Sequence, residues 1–183
     1  RGGVPVAEQV ALAIGAQLDV IVSRKIGSPL NPELGIGAVG PDGNAVLDQL
    51  LIRRLKVDTE YIDRVSRLEL DEIHRRLSSY RGARSSPRIT GRDVIVVDDG
   101  IATGYTVMAA ARSLRGDRPL RLIVATPVCP QDTFQWLRQE VDMIVSLATP
   151  EDFAAVGQFY VDFAQVSDAE VVEILSRSWG QEH

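Results

Sequence analysis

The chain has 183 residues, 45% of them apolar and 25% charged, with 20 Lys plus Arg against 25 Asp plus Glu and a net charge of −5. A chain of this size and mix builds one globular domain with a sizeable core. No apolar run reaches the roughly 18 residues that a membrane helix takes, and the acidic balance, with a pI of about 5.1, argues against a general nucleic-acid-binding surface. Cys129 is the single cysteine, so no internal disulfide forms. A reducing, cytoplasmic setting and an inert, part-buried thiol are expected. The apolar start is interrupted by Glu8 and Gln9, so a signal peptide is not expected there.

From the N-terminus, Val4 to Gln17 reads as a helix, with Pro5 in its first turn. Asp19 to Ile26 reads as a strand and Gly27 to Glu33 as a loop. Ile36 to Gly40 and Ala45 to Ile52 pair as a hairpin around the turn Pro41-Asp42-Gly43-Asn44. Thr59 to Tyr80 is a long amphipathic helix with Ile62, Val65, Leu68, Ile73 and Leu77 on its apolar stripe. Val94 to Val97 is a strand of four aliphatic residues, buried on both faces, and a helix runs from Val107 to Leu114. Strands at Leu120 to Val128 and Met143 to Leu147 flank a helix at Asp132 to Glu140, whose Asp132 and Gln135 suggest a capping pattern. Ser167 and Glu170 form a capping box for a final helix ending near Arg177. Alternating helices and aliphatic strands imply an α/β fold with a doubly wound, mostly parallel sheet. There is no internal repeat and no second-domain linker, so residues 1–183 are expected to form a single domain.

The chemistry concentrates after the Val94 to Val97 strand. Asp98 and Asp99 stand at its carboxyl end, where open α/β sheets bind ligands. Gly100, Thr103, Gly104 and Thr106 follow in a short loop before the helix. Two carboxylates can accept hydrogen bonds from vicinal hydroxyls. Loop amides and hydroxyls at a helix N-terminus can donate to a phosphate. Together these parts make a sugar-phosphate site, whereas an ordinary βα turn would need only one capping residue.

Several other motifs carry less. Gly35-Ile36-Gly37-Ala38-Val39-Gly40 spells the dinucleotide pattern, but it neither follows a strand nor opens a helix. With His74 and His183 the only histidines, a histidine-based metal centre is not expected, and His74 reads as solvated. Receiver domains also place paired acids after a strand, but they need a late lysine, and no lysine follows Lys56.

Asp98-Asp99 followed by Thr103-Gly104-Tyr105-Thr106 resembles the phosphoribosyl-diphosphate (PRPP) signature of the type I phosphoribosyltransferases. The resemblance implies that family's fold with a small irregular hood, the long helix at 59–80 as an insertion, and Mg²⁺-dependent transfer of a phosphoribosyl group from PRPP to an acceptor, expected to be a nitrogenous base, with release of diphosphate. It places the ribose hydroxyls on Asp98 and Asp99 and the 5′-phosphate on Ala102, Thr103, Gly104, Tyr105 and Thr106. Mg²⁺ would travel with the substrate, without direct protein ligands. Arg1-Gly2-Gly3 before Val4-Pro5 is similar to the family's diphosphate loop. That assigns Arg1, Gly2, Arg24 and Lys25 to the diphosphate, against a frayed terminus and a solvent-exposed basic pair as the plain alternatives. The strand that precedes this loop in the family lies outside the 183 residues, which suggests truncation at the N-terminus.

Ser78 to Ser86 is basic and rich in hydroxyls. It reads either as the family's closing lid, with Tyr80, Arg81 and Arg84, or as a plain connection. Four of the ten aromatic residues, Phe153, Phe159, Tyr160 and Phe163, fall between 153 and 163, in the 150–183 segment expected to form the hood. Phe159 and Tyr160 there would stack on the acceptor base, or simply pack an irregular segment. Ala102 stands where relatives using 6-oxopurines carry an acid, which makes such an acceptor less expected. The Arg-Gly-Gly-Val start, the Arg-Lys strand end and the Phe-Ala-Ala-Val-Gly segment resemble a less characterised branch, some of whose members carry a fused hydrolase-like domain. A non-catalytic PRPP sensor on the same fold is the alternative function, and a homodimer is the family's habit.

Overall fold

The computed structural model describes residues 1–180; His183 lies outside the described residues. Helix α1 (Gly3–Ile14) opens the chain and stops at Gly15, whose φ of 65° puts it in the left-handed region that ends helices. An extended stretch leads to strand β1 (Arg24–Gly27), which pairs antiparallel with β2 (Gly35–Val39); β2 pairs antiparallel with β3 (Ala45–Leu47). The hairpin turn is where Asp42-Gly43 predicts it, closed by bonds from Gly40 N to the Asn44 carbonyl and from Gly43 N to the Gly40 carbonyl.

Two N-terminal expectations are corrected. The strand expected from Asp19 begins only at Arg24. Residues 18–20 have no ladder partner among the described residues, and side chains hold their carbonyls: Trp179 Nε1 donates to Leu18 O and Arg81 Nη2 to Val20 O. The strand expected from Ala45 to Ile52 stops at Leu47, because Asp48 caps helix α2 (Gln49–Leu55) by accepting from Leu51 N.

Helix α3 (Thr59–Arg81) is capped by Asp58 and covers the antiparallel sheet. Ile62 and Ile73 are buried with Ile26, Ile36 and Val39. Leu68, assigned to the apolar stripe from spacing, is 63% exposed. A second sheet, wholly parallel, runs in the order β4 (Asp93–Val97), β5 (Arg121–Val128), β6 (Met143–Ala148), with Val96 opposite Val124 and Val124 opposite Ile144. Its crossovers are α4 (Tyr105–Gly116) and α5 (Gln131–Leu137). Pro130, with no side-chain bond, precedes α5, so the capping pattern read at Asp132 is not formed. Helix α6 (Asp168–Trp179) has the expected capping box: Ser167 Oγ accepts from Glu170 N while Glu170 receives Ser167 N.

The architecture is therefore α/β, with a parallel sheet flanked by helices and an antiparallel ribbon ahead of it. Helix α4 joins the two halves. Its Val107, Met108, Ala109 and Ala111 pack in one core with Ala38 and Val46 of the ribbon and Val96, Leu122 and Val124 of the parallel sheet. Small residues let the helix lie close to both sheets. A further core of Val4, Leu18, Val20, Tyr80, Val171 and Leu175 ties α1, α3 and α6 together. No helix among the described residues is long and apolar enough to cross a membrane.

Candidate functional site

Parallel β4 ends at Val97, so Asp98 and Asp99 emerge at the carboxyl edge of the sheet. Asp98 Oδ1 accepts from Asp99 N at 3.1 Å, which ties the Asp98 carboxylate to the backbone that carries Asp99. Burial, and behind it the adjacent Asp99 charge, push the Asp98 carboxyl well above the ordinary carboxylate range, to about 7. Two carboxyls close together and part-desolvated favour a partner that donates to them, as vicinal hydroxyls do.

The first residues of the chain come to this edge. A Cβ on Gly2 would overlap Asp99 Oδ2, and one on Gly3 would fall 2.6 Å from the Val97 carbonyl and 2.9 Å from Asp98 Cα. Only glycine allows α1 to begin so close to the end of β4. The N-terminus of α1 is thus pressed against the acidic ledge, with Arg1 beside it. Arg1 Nη1 lies 3.2 Å from Asp168 Oδ1 on α6.

The glycine–threonine loop follows directly. Gly104, with φ at 80°, caps α4. A Cβ there would meet Thr133 at 2.8 Å and Trp136 at 3.0 Å, so α5 is pressed against the loop. Thr133 Oγ1 donates to the Ala102 carbonyl at 2.7 Å, and Tyr105 lies 5.2 Å from Trp136 between ring centroids. The Tyr105 hydroxyl is pushed up to about 12 by burial and by a hydrogen bond to Asp48, the cap of α2. Both neighbouring elements therefore brace the loop that carries Thr103 and Thr106. Trp136 reports on it: filling the loop with ribose 5-phosphate should shift tryptophan emission, and Trp136→Phe should remove that shift although Trp179 remains. A titration with an unchanged response in the variant would place the ligand elsewhere.

Above the ledge sits the aromatic segment. A Cβ on Gly100 would overlap the Val156 side chain, and the Tyr160 hydroxyl donates to the Asp99 carbonyl at 2.5 Å. Burial, then the charges of Asp99 and Asp98, raise the Tyr160 phenol. Phe159 stacks on Phe153 at 5.5 Å and Tyr160 tilts against Phe163 at 5.1 Å. Gln158 organises the segment: its Oε1 accepts from the amides of Ala154 and Ala155, and its Nε2 donates to the Asp152 carbonyl.

The basic pair is placed differently. Ser23 Oγ donates to the Thr106 carbonyl at 2.7 Å, which brings the entry to β1 against the first turn of α4. Arg24 is hydrogen-bonded to Glu69 of α3, and Lys25 Nζ reaches the Glu33 carbonyl at 3.0 Å and its carboxylate at 3.2 Å. A cleft of about 340 Å³ opens there between Arg24, Lys25, Pro32, Tyr61 and Glu69. Of the residues read as a lid, Tyr80 is 3% exposed and donates to Asp168 at 2.7 Å. Arg81 binds Asp19 and the Val20 carbonyl, and Arg84 lies over the Trp179 ring at 4.6 Å.

Sequence reading passed over Asp48, Thr133, Trp136, Val156 and Asp168, since each reaches the site only across the fold. Cys129 is fully buried, and burial pushes its thiol up to about 11. His74 Nε2 lies 3.3 Å from the Pro41 carbonyl, far along α3 from its start.

Comparison with known proteins gives the family. The phosphoribosyl transferase domain model matches residues 1–164. Two provisionally named phosphoribosyl transferases from strains of Mycobacterium tuberculosis, MT0597 and Rv0571c, are each 44% identical over 178 residues, 97% of this chain. The chain spans 40% of the length of these relatives. The crystal structure of TT1426 from Thermus thermophilus superposes with a TM-score of 0.78 at 41% identity, over 97% of this chain and 84% of that one. The domain match over most of the chain and the relatives above 40% identity place it: the chain belongs to the phosphoribosyl transferase domain family.

Proposed function

We propose that this chain transfers a phosphoribosyl group from PRPP to a nitrogenous base and releases diphosphate. The observation that carries the reading is the seating of Gly2 and Gly3 directly on Asp98-Asp99, next to the loop capped by Gly104. One compact edge then offers carboxylates for a sugar, amides and hydroxyls for its 5′-phosphate, and an arginine with a helix N-terminus for a second anion.

In this reading Asp98 and Asp99 accept from the ribose 2′ and 3′ hydroxyls. Ala102 to Thr106 hold the 5′-phosphate, with Thr103 and Thr106 as hydroxyl donors. Arg1 and the Gly2 amide meet the diphosphate. Arg24 and Lys25 join them only by leaving Glu69 and Glu33, which now neutralise them. Breaking the bond from C1 to the diphosphate leaves an oxocarbenium-like sugar. The chain's part is to hold the ribose still, to stabilise the departing charge, and to keep out water that would capture the cation. Val156 and Tyr160 close the ledge from above, and the stacked Phe153–Phe159 pair offers a flat face for the acceptor.

Mg²⁺ is part of the proposal. The ion would arrive with the substrate, with no direct side-chain ligand, and would neutralise phosphate charge while keeping several waters. The single buried cysteine fits a cytoplasmic setting. The test is to incubate the protein with PRPP, Mg²⁺ and a panel of bases and to measure diphosphate. Release that depends on one base supports the proposal and names the acceptor. PRPP binding with no release for any base would instead identify a binding-only protein.

A further inference from the structure

The Arg1 side chain meets a partner far away in the sequence. Its Nη1 meets Asp168 Oδ1 at 3.2 Å, and the same oxygen accepts from the Tyr80 hydroxyl at 2.7 Å. Tyr80 comes from the last turn of α3 and Asp168 from the first turn of α6, so three elements converge on one carboxylate oxygen. Tyr80 is 3% exposed, and its ring packs with Val4, Leu18, Val171 and Leu175. Burial and the Asp168 hydrogen bond push its phenol up to about 12, so it remains a donor at neutral pH. The Tyr80 hydrogen bond, with the nearby charges of Arg1 and Arg76, keeps the Asp168 carboxyl below its usual range and therefore ionised. Ser167 caps the same helix end, which fixes the backbone beneath Asp168.

This arrangement does little for stability. The Arg1–Asp168 side chains are 33% and 42% exposed, and pairs so open to water contribute little. It does set direction. The described contact uses one N–H of Arg1, and a guanidinium has five in a rigid fork, so most of the fork is left for another anion. A long side chain held on one side loses less freedom when it meets that anion on the other.

We infer that Asp168 and Tyr80 are positioning residues for the diphosphate: the Asp168 carboxylate, locked by the Tyr80 hydroxyl, orients the Arg1 guanidinium beside the acidic ledge before substrate arrives. The inference rests on the proposed reading of the ledge as a PRPP site. It gives Tyr80 a role from beneath the site, through α6, and links the two helices that pack behind it.

The test separates the two halves of the substrate. Inorganic diphosphate with Mg²⁺ and ribose 5-phosphate are titrated calorimetrically and separately into the intact chain and its variants. Asp168→Asn should weaken diphosphate about tenfold and Tyr80→Phe by a smaller factor, while ribose 5-phosphate stays within about twofold. Asp168→Glu should recover part of the loss. In an Arg1→Ala background, Asp168→Asn should add nothing, because its effect passes through Arg1. Equal losses for both ligands, or losses that add in the double variant, would overturn the inference and leave Asp168 a packing residue. If Asp168→Asn does not fold, Tyr80→Phe carries the test, since it removes one hydroxyl and keeps the ring. Should the unaltered chain bind neither ligand, the reading of the ledge itself fails, and the inference with it.

Discussion

Replacing Asp98 and Asp99 together by asparagine should lower PRPP affinity by at least about two orders of magnitude while the protein remains folded. Hydrogen bonds to a charged acceptor are worth roughly 1.5–3 kcal/mol each, and about 1.4 kcal/mol is a factor of ten in affinity. Asparagine keeps the shape but turns half of each acceptor into a donor, which faces hydroxyl protons badly. The fold has reason to improve. The Asp98 carboxyl is raised to about 7 by burial and by Asp99, against about 3.9 for an unfolded aspartate. A carboxyl whose pKa rises on folding costs stability once it ionises. The cost is absent below about pH 4, grows as pH rises toward 7, and is complete above it. Asp98→Asn alone should therefore raise the melting temperature at pH 8 by several degrees, on the order of 1–2 kcal/mol, and leave it nearly unchanged at pH 4. Calorimetric titration reads the first effect and thermal melts across pH the second. Affinity that survives the double change would mean that the ribose sits elsewhere.

The second large effect is expected at the glycines that open α1, and the two should fail in different ways. A Cβ on Gly3 would lie 2.6 Å from the Val97 carbonyl and 2.9 Å from Asp98 Cα, both backbone atoms at the end of a paired strand. Neither can yield without moving β4 or lifting α1 from it. Gly3→Ala should cost about 2–3 kcal/mol, seen as a clear drop in melting temperature. A Cβ on Gly2 collides only with the Asp99 carboxylate, and a side chain can swing away. Gly2→Ala should keep most of the stability and lose PRPP binding, because the displaced carboxylate no longer faces the sugar. If Gly2→Ala binds normally, Asp99 is not a ribose contact. If Gly3→Ala melts like the parent, the close seating of α1 is wrong.

The two halves of the chain differ in how far their structure can be read locally. Val94 to Val97, the acidic pair and the loop to Thr106 form one continuous segment. Their placement follows from local rules: an aliphatic strand, acids at its carboxyl end, and glycine and hydroxyl groups before a helix; burial does not, since Val96 is buried while Val94, Ile95 and Val97 are only partly so. The hairpin turn and the Ser167–Glu170 box are legible for the same reason, since the residues that make each contact are neighbours in sequence. The strand read from Asp19 failed because strand pairing is not local. Residues 18–20 have apolar character, but the described fold gives them Trp179 and Arg81 as partners in place of a strand. Leu68 failed for a local reason: six residues after Ile62, at 100° per residue, it lies about 120° round the helix from the Ile62–Ile73 face, and it is 63% exposed.

Backbone propensity and local hydrogen bonding act over a few residues, so the acidic ledge, the glycine–threonine loop and the α/β alternation are written into single stretches of chain. Their surroundings arise from packing between stretches. Packing seated Gly2 and Gly3 on the carboxylates, set Thr133 and Trp136 against Gly104, and laid Val156 and Tyr160 over Gly100 and Asp99. It also joined Arg1, Tyr80 and Asp168 across as many as 167 positions of chain. Those contacts depend on how buried faces of distant elements fit one another, and no spacing along a single segment encodes that fit.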